Sequence, residues 1–105
     1  DGSSDIIFHE IRVNPAQRSV YVGEVLLNLT PKEYDLLLYF LANQHRVLRR
    51  ESIAEHLLGD DADQMDDFNF IYSHIKNLRK KLIDLGCLDY LKAVYGIGYK
   101  FTHSK

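Results

Sequence analysis

The spacing of apolar positions divides the chain into a β-rich beginning, a helical middle and a β-hairpin at the end. From Ile6 to Leu29 apolar residues fall at every second position, and Asn14-Pro15 and Gly23-Glu24 interrupt them. Period two between turn-forming residues is typical of short strands. We predict three or four antiparallel strands here, with one face of the sheet covered.

The period changes after Leu29, where the sequence predicts the first of three helices. Thr30 is a favourable N-cap, Pro31 suits the first helical position, and Glu33 can complete a capping box with Thr30. We expect this helix to end near Asn43. Its predicted inward stripe consists of Tyr34, Leu37, Leu38 and Leu41.

A second helix is predicted from Arg50 to Leu58, and Gly59 should end it. Its predicted buried residues are Ile53, Ala54, Leu57 and Leu58. The connection that follows, Asp60–Asp67, is acidic, but it lacks the central glycine and the distal glutamate of a calcium loop. We therefore interpret its carboxylates as helix-start residues, which suit the positive end of a helix macrodipole.

The segment from Asp66 to Leu85 has the most regular helical pattern in the chain. Its apolar residues recur at steps of three and four, the spacing of one helical stripe. They are Phe68, Ile71, Ile75, Leu78, Leu82 and Leu85. Asn69, Ser73, Lys76 and Lys80 repeat on another face, with Asn77 and Arg79 beside them. The pattern alone fits either a solvated amphipathic helix or one that presents amides and cations to a ligand, over roughly 30 Å.

A terminal β-hairpin is predicted from Tyr90–Val94 and Gly98–Thr102, joined through Tyr95-Gly96-Ile97. We expect its glycines to permit positive φ at the tip. No helical pattern follows this GxG sequence, so we infer no nucleotide-binding loop.

Composition and charge narrow the class of protein. The 105 residues, 46% apolar and 27% charged, are those of one globular domain. The formal net charge is −2, but residues 1–65 hold 6 Lys or Arg against 11 Asp or Glu, whereas residues 66–105 hold 7 against 4. This asymmetry predicts a nucleic-acid surface confined to the C-terminal part, because phosphate binding depends on local cations.

The single cysteine, the histidines and the hydropathy of the chain argue against disulfide-bonded, metal-binding and membrane-spanning proteins. Cys87 has no intrachain partner, favours a reducing cytoplasmic compartment, and should be a small packed residue after the long helix. We find no signal peptide and no membrane-spanning run. Zinc-ligand spacing is absent from His9, His45, His56 and His103. We expect no enzyme activity, metal, cofactor or membrane partner.

The order of sheet, three helices and hairpin is that of an α+β winged helix-turn-helix, whose third helix enters the major groove and whose hairpin is the wing. Residues 6–103 should form this domain, residues 1–5 a linker or expression remnant, and residues 104–105 a tail. Four segments, LTPKEYDLLLYF, RVLRRESIAEHLLG, HIKNLRKKL and VYGIGYKF, resemble the DNA-binding effector domain of OmpR/PhoB-type response regulators. The resemblance covers about Ile6 to Phe101.

The resemblance implies a transcription regulator of a two-component system, whose receiver domain is phosphorylated on aspartate by a sensor kinase. It also implies tandem binding of two copies to direct repeats in double-stranded DNA. Contact with RNA polymerase would involve the loop Gly59–Met65, whose acidity suits a basic partner.

Carried over by position, the resemblance implies three groups of DNA contacts. Base edges would be contacted by Asn69, Ser73, Lys76 and Asn77. Phosphates would be contacted by His74, Arg79 and Lys80. The wing would approach the minor groove or its phosphates through Tyr95, Tyr99 and Lys100. Relatives often have arginine at the position of Tyr95 and near the start of the recognition helix, where this chain has Asn69 and Phe70.

The alternative function is a winged helix used for protein–protein recognition. Overall acidity and the two missing arginines favour it. The cations that favour DNA are Lys76, Arg79, Lys80, Lys81 and Lys100. The sequence leaves two alternatives for each of two side chains. His74 can contact a phosphate or stack against the edge of the core, and Tyr72 can pack against the wing or contact DNA.

Overall fold

The computed structural model describes residues 5–59 and 68–103, which form two antiparallel sheets around three helices. The predictions for residues 1–4, for the acidic connection 60–67 and for the tail lie outside these ranges. The predicted α+β winged-helix class is confirmed by the order of the elements.

The first sheet is a four-stranded antiparallel meander of β1 (Ile6–Phe8), β2 (Ile11–Asn14), β3 (Ser19–Val22) and β4 (Val25–Leu27). Every second residue faces the core, as the period predicts: Phe8, Ile11, Val13, Val20, Val22 and Leu27 are buried. Leu29, which the alternation includes, lies beyond β4 but still packs against the core.

Helix α1 (Pro31–Ala42) begins with the predicted capping box. The Glu33 amide donates to the Thr30 hydroxyl at 3.2 Å, and the Thr30 amide donates to Glu33 Oε1 at 3.1 Å. The buried face is wider than the predicted stripe because α1 packs against both other helices and the second sheet. Leu36 and Phe40 are therefore buried as well, whereas Leu38 is only partly buried.

Helix α2 (Arg50–Leu58) has the predicted bounds. Ile53, Ala54 and Leu57 are buried as predicted, but Leu58 is half-exposed. Gly59 ends the helix with φ of 58°, a conformation that glycine adopts without strain. Lys32 of α1 donates to the Leu57 carbonyl at 2.5 Å, which ties the first helix to the end of the second.

Helix α3 (Asn69–Asp84) is shorter than the predicted segment from Asp66 to Leu85. Ile71, Ile75, Leu78 and Leu82 form its buried stripe. The apolar period extends past both ends because Phe68 and Leu85 lie at the two caps and pack against the core from there. The helix ends close to the predicted Leu85, which is its C-cap, and the next residue, Gly86, has φ of 94°.

The second sheet has three strands, β5 (Val47–Arg49), β6 (Leu91–Val94) and β7 (Gly98–Phe101), in the order β5-β7-β6. The β6–β7 hairpin is the predicted wing, but β5 was not predicted from the sequence. Gly96 has the expected positive φ, 76°. The expectation for Gly98 is wrong: a Cβ there would lie 2.0 Å from the Leu48 carbonyl oxygen, so this glycine permits the close approach of β5.

Candidate nucleic-acid interface

The four predicted base-contacting side chains lie on one exposed face of α3. Asn69, Ser73, Lys76 and Asn77 are all exposed, and the buried stripe lies on the opposite side of the helix. Because that stripe fixes the rotation of α3, the amides, the hydroxyl and the ammonium group project away from the core. The structure thus brings these four residues together on one surface.

His74 lies at the side of this face and is half-buried. Its Nδ1 donates to the Phe70 carbonyl at 2.9 Å, and the two rings lie 4.4 Å apart. One ring nitrogen is thereby occupied within α3. This geometry agrees with stacking at the edge of the core and leaves Nε2 as the ring nitrogen outside that bond.

Arg79 and Lys80, the other two predicted phosphate contacts, are exposed but paired with carboxylates. Arg79 binds Asp89 through two nitrogens, with Nη2 at 2.5 Å and Nε at 3.0 Å. This hydrogen bond raises the pKa of Arg79. Lys80 donates to Asp84 at 3.0 Å. Any phosphate at these positions must compete with Asp89 and Asp84.

Lys81 does not lie on the exposed face, contrary to its inclusion among the DNA-favouring cations. Its ammonium donates to Glu33 Oε1 at 2.6 Å, and the Glu33 side chain is only 4% exposed. Burial raises the pKa of Glu33, but the hydrogen bonds from Lys81 and Thr30 outweigh it and lower the pKa below its ordinary value. Lys81 therefore joins α3 to the start of α1.

An open cavity of about 300 Å³ separates α3 from the wing. It is lined by Arg50, Tyr72 and residues 93–99. Arg50 donates to the Tyr72 hydroxyl at 3.0 Å, and its guanidinium lies 5.1 Å from the centre of the Phe68 ring. The Arg50 amide also donates to the Ile97 carbonyl in the hairpin turn. Arg50 therefore links Tyr72 of α3 to the wing and places a cation between them.

The predicted wing residues have different surroundings. Tyr95 is fully exposed at the tip, whereas Tyr99 is half-buried on the core side of the sheet. Burial, reinforced by Tyr72, raises the pKa of Tyr99, and Arg50 and Arg79 partly offset this effect. Lys100 lies on the outer side, directly opposite Lys92 on β6.

Cys87 is buried after α3, as predicted, and burial raises its pKa to about 12. A thiol with such a pKa is unreactive at neutral pH. Across residues 5–59 and 68–103, no three His, Cys, Asp or Glu side chains cluster in a way that would hold a metal ion. Within those same ranges no helix combines the length and the apolar content that crossing a bilayer requires.

A comparison against protein families assigns the chain to a family. Residues 23–101 match the family model described as transcriptional regulatory protein, C terminal. The chain belongs to this family. The resemblance to OmpR/PhoB-type response regulators is thereby confirmed.

Individual family members support the same assignment. The chain is 41% identical over 90 residues to the transcriptional regulatory protein YclJ of Bacillus subtilis, which covers 85% of this chain and 38% of YclJ. The DNA-binding domain of the response regulator AdeR, solved with an intercistronic region, is 29% identical, with a TM-score of 0.82 over 94% of this chain and 99% of that one.

A second solved structure is the RstA DNA-binding domain of Klebsiella pneumoniae in complex with the RstA box. It is 26% identical, with a TM-score of 0.81, and covers 94% of this chain and 97% of the RstA domain. The chain spans about two fifths of the length of the curated relatives that it matches.

Sequence reasoning missed Arg50 and Asp89 as parts of this surface. Arg50 is 22 residues from Tyr72, and Asp89 is 10 residues from Arg79. Neither pair lies at a helical or cross-strand spacing, so no local pattern pointed to it. The one available signal was the RVLRRE segment, which carries Arg50 within the family resemblance.

Proposed function

We propose that the chain is the sequence-specific DNA-binding effector domain of a two-component response regulator that controls transcription. The observation that carries the proposal is the exposed face of α3, where Asn69, Ser73, Lys76 and Asn77 project together. An α-helix fits the major groove, and these groups suit base edges there: asparagine pairs with adenine and lysine with guanine. The solved complexes of AdeR and RstA support the same kind of ligand.

Other residues of the domain set its affinity for DNA and its assembly with partners. His74, Arg79 and Lys80 bind phosphates beside the base-contacting face, and Lys100 does so from the wing. Two copies bind in tandem to direct repeats in the cytoplasm, and the loop Gly59–Met65 meets RNA polymerase. Only Gly59 of that loop lies within the described ranges. In this role the domain acts by binding alone and catalyses no reaction.

The first test is selection from random duplexes, followed by fluorescence-anisotropy titration of the enriched duplex at two salt concentrations. We expect a direct repeat to be enriched and log affinity to fall linearly with log salt, because cations that bind phosphates release counterions. Binding that neither enriches a sequence nor responds to salt would favour the alternative, a winged helix for protein recognition.

The second part of the test assigns the base contacts. Lys76→Ala should cost about 1–3 kcal/mol on the selected duplex and relax discrimination at one base pair. The matched control is Arg12→Ala, which also removes one cation but from the outer face of the first sheet, where Arg12 lies over the Tyr21 ring at 4.8 Å. Equal losses in both variants would mean that Lys76 acts only through charge.

A further inference from the structure

Two histidines from opposite ends of the sequence lie side by side where the two sheets meet. His9 is in the turn between β1 and β2, and His103 follows β7. Both side chains are exposed, and their ring centroids are 4.2 Å apart with the planes tilted by 37°. Because zinc ligands are recognised in a sequence by their short spacing, a pair so far apart along the chain gave no signal there.

The backbone holds both histidines in place. The Thr102 amide donates to the Tyr90 carbonyl at 2.9 Å, and Thr102 is only 4% exposed, so His103 extends from an anchored residue. His9 has φ of 55°, a left-handed conformation that residues other than glycine adopt rarely. Its ring packs edge-on against Phe8, with the centroids 4.8 Å apart. The two rings therefore meet at a defined position on the surface.

A tyrosine and a glutamate support the pair. The Tyr90 ring stacks on His9 with the centroids 5.5 Å apart, and it lies at the same distance from His103. The Tyr90 hydroxyl donates to Glu10, the residue that follows His9, and the Leu88 amide donates to the same carboxylate at 2.8 Å. The Glu10 carboxylate thus places a negative charge close to the two imidazoles, which favours a cation there.

The distance between the two rings suits one metal ion bound by both. A zinc–imidazole bond is about 2.0–2.1 Å long, so two imidazoles at neighbouring coordination positions, roughly 90–109° apart, keep their ring centroids about 4.5–5.2 Å apart. The observed 4.2 Å is slightly shorter, and a rotation of the exposed His103 side chain reaches that range. Imidazole is a ligand of zinc, nickel and copper, whereas magnesium and calcium bind oxygen ligands.

We propose that His9 and His103 together bind one divalent transition-metal ion, such as Zn²⁺ or Ni²⁺. Within residues 5–59 and 68–103 no third His, Cys, Asp or Glu joins the pair in a metal-binding cluster, so water fills the remaining coordination positions. The ion joins the segment after β7 to the first sheet. Since the two rings meet only in the folded chain, binding stabilises the fold.

Isothermal titration calorimetry with NiCl₂ and with ZnCl₂ tests the site in the 105-residue chain. We expect affinity to fall at least tenfold in His9→Asn and in His103→Ala. Asparagine is chosen at position 9 because it tolerates the positive φ. The matched control is His56→Ala, which removes another exposed histidine, one that stacks on Tyr39 with the centroids 4.1 Å apart. This control should bind the ions like the parent.

Urea unfolding with and without NiCl₂ separates metal binding from an effect on folding. The ion should raise the unfolding midpoint of the parent and of His56→Ala, and EDTA should reverse the change. The midpoints of His9→Asn and His103→Ala should not respond to the ion. If the parent binds neither ion, or if both variants bind as tightly as the parent, the inference is wrong. Each variant removes one ligand, so either one that folds is sufficient for the test.

Discussion

At the scale of single residues, the ability of a cation to bind a phosphate depends on its carboxylate partner as well as on its position. Lys76 and Arg79 both lie on α3 and both are exposed, but Arg79 is held by two hydrogen bonds from Nε and one from Nη2 to Asp89. A surface pair of this kind contributes little to stability, typically below about 1 kcal/mol. Its larger effect is on ligands, because the Asp89 carboxylate neutralises the charge of Arg79 and occupies its Nε and Nη2, which weakens the attraction of Arg79 for a phosphate.

Asp89→Asn tests this competition. Removal of the carboxylate charge frees Arg79, so we expect affinity for any duplex to rise about two- to fivefold and the salt slope to steepen by up to about 0.9. Anisotropy titrations at several salt concentrations measure both quantities. Glu24→Gln is the matched control, since it removes one negative charge from an exposed turn of the first sheet. The same gain in both variants would show a long-range charge effect and argue against a contact by Arg79.

Residue types on the exposed face were predictable from the sequence, but their partners were not. The helical period gave Asn69, Ser73, Lys76 and Asn77 one common face, and the structure agrees. The period gives no information on which carboxylate approaches from a following loop. The prediction that Lys81 favours DNA binding fails for this reason, because Lys81 binds Glu33 on the side of α3 that faces α1.

At the scale of elements, the wing depends on a strand outside the hairpin. Strand β5 pairs with β7, with Leu48 opposite Tyr99 and Arg49 opposite Gly98. The absence of a side chain at Gly98 lets the two backbones approach, because a Cβ would lie 2.0 Å from the Leu48 carbonyl oxygen and 2.9 Å from the Arg49 Cα. Backbone atoms cannot move aside as the end of a flexible side chain can.

Gly98→Ala should therefore separate β5 from β7. We expect a loss of roughly 2–4 kcal/mol in the free energy of unfolding, as for other sterically forced changes in a packed site. Gly96→Ala is the comparison: its Cβ meets no atom within 4 Å, so only the positive φ of 76° opposes it, at about 1–2 kcal/mol. Urea unfolding of both variants gives the difference, and equal losses would contradict the steric account.

Elements with strong local signals were predicted, and those defined by distant partners were not. The capping box fixed the start of α1, and Gly59 marked the end of α2. Strand β5 has only three residues, and its pairing partner lies about fifty positions later in the chain. Three residues carry too little periodicity to distinguish a strand from a loop.

At the scale of the whole molecule, two carboxylates connect regions that are distant in sequence. Glu33 binds Lys81, and Glu10 accepts hydrogen bonds from the Leu88 amide at 2.8 Å and from the Tyr90 hydroxyl. Burial raises the pKa of each carboxyl, but the hydrogen bonds that the carboxyl accepts lower the pKa by a larger amount. The pKa of each therefore lies below the ordinary value of 4.5. The ionised form of each carboxyl is thus the one that these contacts favour: Glu33 joins α1 to α3, and Glu10 joins the turn after β1 to the segment before β6.

This arrangement predicts acid sensitivity. A carboxyl whose pKa is lower in the folded state stabilises the fold above its unfolded pKa, and this contribution is lost as the pH falls through the folded pKa. The free energy of unfolding should thus be constant near neutral pH and decrease below about pH 4.5. Urea titrations at pH 7 and at about pH 3.5 measure the decrease.

Glu33→Gln identifies the share of Glu33 in that decrease. The variant should lose roughly 1–3 kcal/mol at pH 7, because Lys81 keeps no charged partner, and should lose less than the parent on acidification. Glu24→Gln, at an exposed turn, should follow the parent at both pH values. A Glu33→Gln variant with the parent's full acid dependence would show that Glu10 and other carboxyls account for it.

The strand order of the second sheet also sets the order in which a newly made chain can assemble it. The middle strand, β7, is the last of the three to be synthesised, and among the strands of residues 5–59 and 68–103 it is the one with which β5 and β6 pair. All four strands of the first sheet have been synthesised once the chain reaches Leu27. Strands β5 and β6, in contrast, lack their pairing partner until Gly98–Phe101 has been synthesised. A nascent chain can therefore form its meander early, but it acquires its wing, and with it a finished ligand-facing surface, only when that strand emerges.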